Sequence, residues 1–510
     1  MPEYKTSASQ ITKNALFLYF RQIIIMAVGL LTVRITLSIL GIVDYGVNNV
    51  VAGTVSMFAF LSSSLASGSQ RFFSFYIGSG EKDKLSDSFK GTFSIYVFFT
   101  LIILVLQEIV GLWLLNNKLV IPPNRMFAAQ CIFQMAILGS CASLMTAPYM
   151  ASVIAHENMK IFAQVGIVEV VLKLLVVFLL YISPADKLIT YGFLYMLVNL
   201  GMMLFYQMYT SKKYDECKSS FLWRKDLIKE LLSFNGWNCF GSFAWMMKNQ
   251  GLSIVLNTFF GPVVNAAQQI GTQIRSISAS FSQNFSMATK PQIIKSYAAK
   301  DYDRTLDLVF KTAKINFFLM YIITLPACFS LDYLLDLWLV DVPQYAVVIC
   351  QLLLIENLVE TSSLPFAVVN QATGKIALYQ FLIGVVGILN IPFAYIACRN
   401  GCEPKIAFLI GVILQLCIAA IRIIFVQRIF PKSFFKIIGR IYIPCVLIVV
   451  ISYSVCLLLW HPITSFMVFA IETLCQVLLV LLLSYFIGLN KAERFFCISL
   501  IRKKFKRSNS

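Results

Sequence analysis

The chain has 510 residues, 59% of them apolar or aromatic and only 13% charged, with 42 Lys and Arg against 24 Asp and Glu and a formal net charge of +18. A soluble domain carries about a quarter charged residues and under half apolar ones, so a mean hydropathy of +0.78 excludes a soluble fold and leaves an all-α polytopic membrane protein. Two histidines, His156 and His461, and 13 cysteines with no C-x-x-C pair argue against a zinc or iron centre and against a disulfide framework.

A spanning helix needs about 20 mostly apolar residues. In chain order about fourteen such runs are expected. The first six are Asn14–Ser38, Asn48–Ser67, Gly91–Leu114, Phe127–Ile154, Ile161–Ile182 and Leu188–Tyr209. The next six are Leu231–Thr258, Val263–Phe285, Leu306–Leu331, Gln344–Gln371, Ala377–Cys398 and Ile406–Gln427. Ile441–Trp460 and Ser465–Gly488 close the series. The seventh and eighth are the least hydrophobic. The first is too long for a signal-peptide core and lacks a small-residue cleavage site, so it is expected to stay as an uncleaved helix. This divides the chain into a head (1–13), an N-lobe (14–209), a linker (210–230), a C-lobe (231–427), two further helices (441–488) and a basic tail (489–510).

Basic residues set the orientation. Segments on the side of the N-terminus hold about 29 Lys and Arg, and the opposite loops hold about five. Both termini are therefore expected in the cytoplasm. The tail Arg502-Lys503-Lys504-Phe505-Lys506-Arg507 is then expected on anionic headgroups, with membrane lipid and not nucleic acid as its partner.

The chain repeats itself at an offset of about 220 residues. Leu40-Gly41 matches Phe260-Gly261, and Tyr76…Leu85…Phe89-Lys90 matches Tyr297…Leu306…Phe310-Lys311. At a slightly smaller offset Pro148-Tyr149…Lys160-Ile161 matches Pro365-Phe366…Lys375-Ile376. Each half therefore holds six helices of like topology, an arrangement in which transporters place the substrate at the repeat interface. On the second helix Asn49, Ser56, Ser63 and Ser67 share one face, and the first three map onto Gln269, Ser276 and Gln283 of the eighth. Matched polar faces suggest two walls of a cavity; interhelical hydrogen bonds are the alternative.

Charges inside a bilayer usually pair or face water. Lys173 follows Glu169 in the favourable i,i+4 order, which reads as a structural pair. Arg34, Lys248 and Arg275 come from the helices that open each half. No Asp or Glu lies between Leu231 and Lys300, so these three are expected to make a cavity cationic and to favour an anionic substrate. Salt bridges to Glu108, Glu356, Glu360 or Glu472 are the competing reading. Glu356 and Glu360 sit one turn apart on the tenth span, placed either to carry a proton or sodium or to pair with Arg422 or Lys248.

No G-x-x-x-x-G-K-[ST] loop is present, and the short outer loops offer only His461 as a reactive histidine. The reading is therefore not ATP hydrolysis by that route, not an enzyme, and no cofactor. Several segments bear a resemblance: Leu18-Tyr-Phe-Arg21, Leu40-Gly-Ile-Val-Asp-Tyr-Gly46, Gln70-Arg-Phe72, Phe260-Gly261, Pro291-Gln292, Trp338-Leu339 before Pro343, and Gln371-Ala-Thr-Gly-Lys375. Over residues 10–430 the chain resembles the polysaccharide-exporter branch of the MATE-like (MOP superfamily) transporters, including O-antigen flippases of the Wzx type. The resemblance implies two six-helix lobes, alternating access and a bacterial inner-membrane location. It also implies a lipid-linked (undecaprenyl-pyrophosphate) oligosaccharide as substrate, in envelope polysaccharide or lipopolysaccharide biosynthesis. Arg34, Lys248 and Arg275 would supply the cationic lumen, and a polysaccharide polymerase and glycosyltransferases would be the partners. The drug-exporting branch resembles a system with a coupling carboxylate in the first, seventh or eighth helix. This chain has none there, so a sodium- or proton-coupled multidrug antiporter is the alternative and would have to use Glu356 and Glu360.

Overall fold

The computed structural model describes residues 8–494 except 57–58, 118–120, 219–220, 340, 432, 460–462, 464 and 491–492. The tail's basic run Arg502–Arg507 and His461 lie outside the described residues. Within them the chain is all-helical, as the long apolar runs require. The first seven long helices are α1 (Ala8–Ser56), α2 (Ala59–Ser79), α3 (Lys82–Asn117), α4 (Pro123–Ala155), α5 (Met159–Leu179), α6 (Lys187–Lys213) and α7 (Lys225–Phe260). They are followed by α8 (Pro262–Ala298), α9 (Tyr302–Trp338), α10 (Ala346–Ala372), α11 (Ala377–Arg399), α12 (Pro404–Ile429), α13 (Ser433–Leu458) and α14 (Phe466–Gly488).

Eleven of these are long and apolar enough to cross a membrane, so the chain is a multi-pass membrane protein. The second, seventh and eighth fall short, because amides, hydroxyls and the charges of Lys248 and Arg275 dilute their apolar surface. Side chains such as Leu458, 84% exposed, and Ile182, 80% exposed, suit hydrocarbon and would be costly in water. The second expected span starts in α1, beyond a break at Gly41, and continues in α2, with residues 57–58 between them outside the described residues.

The backbone carries the repeat more clearly than the side chains do. Left-handed positions recur in pairs: Gly41 (φ 75) with Gly261 (φ 74), Gly80 (φ 76) with Lys300 (φ 61), and Glu157 (φ 60) with Gly374 (φ 78). The offsets reproduce those read from the sequence. A non-glycine residue there costs about 1–2 kcal/mol, so Lys300 and Glu157 hold that conformation against a local preference. Pro148 and Pro365, matched by the repeat, both lie inside helices, α4 and α10. Helix pairing repeats as well, with α4 against α6 in one half and α10 against α12 in the other.

The chain forms two compact units, one of Met1–Phe243, Met287–Tyr302 and Gly374–Ala377, the other of Ala244–Ser286, Asp303–Thr373 and Leu378–Ser510. In the first, Ile39, Leu40, Val51, Leu115 and Phe133 build a core beneath the break in α1. Arg125 closes that region by donating to Asp44 at 2.6 and 2.7 Å and to Asp186 at 2.6 Å. Asp186 also caps α6, accepting from the backbone N–H groups of Leu188 and Ile189. Farther along this unit Glu157 accepts from Lys295 Nζ at 2.7 Å and from Gln292 Nε2 at 2.9 Å. Gly78 lets α2 approach α8 closely there: a Cβ at Gly78 would stand 2.5 Å from the Lys295 Cα. In the second unit the Tyr321 and Ser452 hydroxyls share a 2.7 Å hydrogen bond between α9 and α13.

Candidate functional site

Within the second unit α7, α8 and α10 surround a cavity of about 420 Å³. Helix α8 presents Gln269, Thr272, Arg275, Ser276 and Gln283 to it, α7 presents Trp245, Asn249, Gln250 and Ser253, and α10 presents Asn357, Glu360 and Thr361. The spacing explains why one helix supplies so many groups. Gln269, Thr272, Ser276 and Gln283 step by three, four and seven residues, which keeps them on one stripe. The Thr272 and Ser276 hydroxyls donate to backbone carbonyls of their own helix, leaving oxygen lone pairs for a ligand. Among the described residues the Gln269 and Gln283 amides have no protein partner and open onto the cavity.

A charged network borders this cavity. Lys248 Nζ donates to Glu356 Oε1 at 2.5 Å. Arg275 bridges the two acids, with Nη2 on Glu360 Oε2 at 2.6 Å and Nη1 on Glu356 Oε1 at 3.5 Å. Arg422, from α12, donates to Ser363 Oγ at 2.7 Å and to the Glu360 carbonyl at 3.4 Å. The Lys248 and Glu356 side chains are only 7% and 3% exposed, whereas Glu360 is 22% exposed. Two cations thus meet two carboxylates, and Arg422 leaves the cluster with one positive charge in excess.

Of the sequence-derived candidates, Gln269, Arg275, Ser276 and Gln283 are brought together on one wall, with Glu360 opposite. Lys248 and Glu356 do not line the cavity; they form a buried pair behind it. For Lys248 and Arg275 the structure shows the competing reading, salt bridges to Glu356 and Glu360. The absence of acids between Leu231 and Lys300 is real, but α10 delivers Glu356 from 108 residues away. A lone ammonium in so dry a place would be strongly disfavoured. Neither Glu356 nor Glu360 is a free carboxylate, since each already accepts from a basic side chain. Lys173 donates to Glu169 at 2.6 Å, the structural pair expected. The side chains of Arg34, Asn49 and Ser56 lie outside the described residues.

The α7 wall comes from the polar, glycine-interrupted stretch Trp245–Gly251, the kind of span in which transporters place a site, and Trp245, Asn249 and Ser253 share a face at i, i+4, i+8. The sequence reading passed over a second cavity, of about 480 Å³, in the first unit. There Tyr191, Tyr195 and Asn199 of α6 repeat the same spacing, and Lys173 of α5, Asn48 of α1, Gln107 of α3 and Ser140 and Ser143 of α4 add polar lining.

No protein-family model matches the sequence, and no curated protein matches it. Solved structures do match in three dimensions. A MATE crystallised in the straight conformation superposes with a TM-score of 0.70 at 12% identity, covering 84% of this chain and 97% of the other. An outward-facing multidrug resistance MATE family transporter of the MOP superfamily gives 0.68 at 12% identity, with the same coverage. A MOP superfamily transporter from Pyrococcus furiosus, described as having a binding pocket of reversed polarity that suggests a different function, gives 0.70 at 12% identity over 83% of this chain and 96% of the other. At such identity the likeness is one of architecture, and it agrees with the two-repeat backbone described above: the chain has the MATE fold.

Proposed function

We propose that the chain is a flippase or exporter that moves a lipid-linked, pyrophosphate-bearing oligosaccharide across the bacterial inner membrane by alternating access, for envelope polysaccharide biosynthesis. The observation that carries this reading is the lining of the second unit's cavity. It is rich in amides and hydroxyls, and its two charged lining residues, Arg275 and Glu360, are paired with each other, which suits a polyhydroxylated substrate better than an apolar cation. Arg275 supplies the contact for phosphate: it shares a half-open carboxylate, Glu360, and an incoming phosphate oxygen offers it the bidentate geometry guanidinium favours. Lys248 acts indirectly, by fixing Glu356 behind Arg275. The MATE fold supports transport and not catalysis. The test is surface polysaccharide in a host that depends on this chain. Arg275→Ala and Gln283→Leu should each reduce polymer at least tenfold at constant protein level, and undiminished polymer overturns the reading.

One observation favours the alternative of an ion-coupled small-molecule antiporter: Glu360 reaches the cavity with 22% of its side chain exposed. On that reading Glu360→Gln raises drug sensitivity and leaves polysaccharide intact.

A further inference from the structure

We propose that the cavity of the first unit is a subsite for a neutral pyranose, with Tyr191 and Tyr195 as its platform and Asn48, Asn199 and Ser143 as its hydrogen-bonding groups. Its volume, about 480 Å³, falls in the range of small-ligand sites and admits one or two sugar rings. The inference deepens the oligosaccharide reading above by naming where the sugar portion is held, and it rests on that reading only for the identity of the physiological substrate.

Charge selects the ligand class. No Asp or Glu is among the described lining residues, so a cationic guest finds no counter-ion and faces the Lys173 ammonium. That ammonium is itself committed, 2.6 Å from Glu169 Oε1 and 4.9 Å from the Tyr195 ring centroid. An anion would have to displace Glu169 to reach it. What the cavity offers freely is neutral. Among the described residues, the amides of Asn48 and Asn199 and the hydroxyls of Ser143 and Tyr191 make no hydrogen bond to protein. Such groups are costly when left unpaired away from water, so this lining suits either water or a guest that alternates donors and acceptors around a ring.

Shape completes the argument. Tyr191 and Tyr195 stand one helical turn apart, their ring centroids 5.5 Å from each other and their planes tilted by 39°. Flat aromatic faces beside amides match a pyranose, whose C–H face is apolar and whose rim is hydroxylated. Gly139 keeps α4 low at the Asn199 amide: a Cβ there would lie 3.0 Å from Asn199 Nδ2.

The test uses the purified full chain in lipid nanodiscs and saturation-transfer difference NMR. The probes are N-acetylglucosamine and methyl β-glucopyranoside, with ethidium as the cationic competitor. Ring protons of both sugars should receive saturation from the wild type and from Cys475→Ser, an exposed control on α14. Apparent affinity should fall at least tenfold in Tyr195→Leu and Asn199→Leu and severalfold in Tyr191→Phe, with melting midpoints recorded for each. Absence of transfer from the wild type, equal transfer from well-folded Tyr195→Leu, or displacement by ethidium overturns the subsite. If no sugar binds while Arg275→Ala still abolishes surface polymer, the subsite is wrong and the flippase reading stands. If sugar binds through Tyr195 and polymer never depends on the chain, the flippase reading is wrong and the subsite stands.

Discussion

Replacing Glu356 by glutamine tests whether the buried charges of the second unit are structural. Lys248 Nζ lies 2.5 Å from Glu356 Oε1, with both side chains almost fully buried. Removing the acid leaves an ammonium with no carboxylate beside it, whereas Arg275 keeps Glu360 at 2.6 Å. Breaking a buried pair from one side costs roughly 3–5 kcal/mol. For a unit of roughly 250 residues that corresponds to a fall of about 6–20 °C in melting midpoint. Removing both charges, as Lys248→Met with Glu356→Leu, should recover most of the loss, because two apolar groups of similar volume replace a desolvated pair. The coupling energy from the full cycle should be about 2–3 kcal/mol. The assay is the thermal midpoint of the detergent-solubilised chain, followed by size-exclusion fluorescence. Two results refute the reasoning: Glu356→Gln melting with the wild type, or the double variant melting no higher than Glu356→Gln.

Further outcomes follow from other sites. The Asp186 carboxyl is held below the usual carboxylate range, chiefly by its hydrogen bond from Arg125 and then by the Ile189 N–H. Because the folded group is the stronger acid, its stabilisation is complete above about pH 4 and is lost as pH falls through the folded value. Asp186 is 31% exposed, so the effect is small. Melting of the wild type should still decline more steeply below about pH 4 than that of Arg125→Met, and parallel curves would count against the assignment. Gly78→Val drives a Cβ into the Lys295 backbone and should cost about 1–3 kcal/mol or more. Gly261→Ala meets open space but keeps φ at 74 and should cost about 1–2 kcal/mol. Melting midpoints should therefore rank Gly78→Val lowest, Gly261→Ala next and the wild type highest.

Much of the architecture is legible in the sequence because membranes impose it. Runs of about 20 apolar residues have no other stable conformation in lipid, so the helices announce themselves, and the offset of Gly41 to Gly261 announces the repeat. The polar stripe of α8 is equally visible, since Gln269, Ser276 and Gln283 stand out against an apolar background. The state of Lys248 is not legible. Its partner sits on α10, and no local pattern reports which distant acid a buried base will meet. The cavity of the first unit escaped for a different reason. Tyrosines and asparagines are ordinary in spans, and Tyr191 and Asn199 become a site only when α4 and α5 leave room beside α6.

The Lys248–Glu356 pair also constrains how the protein is made. At synthesis rates of about 5–20 residues per second, Glu356 leaves the ribosome roughly 5–20 s after Lys248, 108 residues earlier. During that interval the two least apolar long helices must enter the bilayer, or wait at the translocon, with their cations unanswered. Commitment of α7 and α8 to the membrane therefore depends on a helix not yet translated, and biogenesis of this half of the molecule is a concerted event, not a stepwise one.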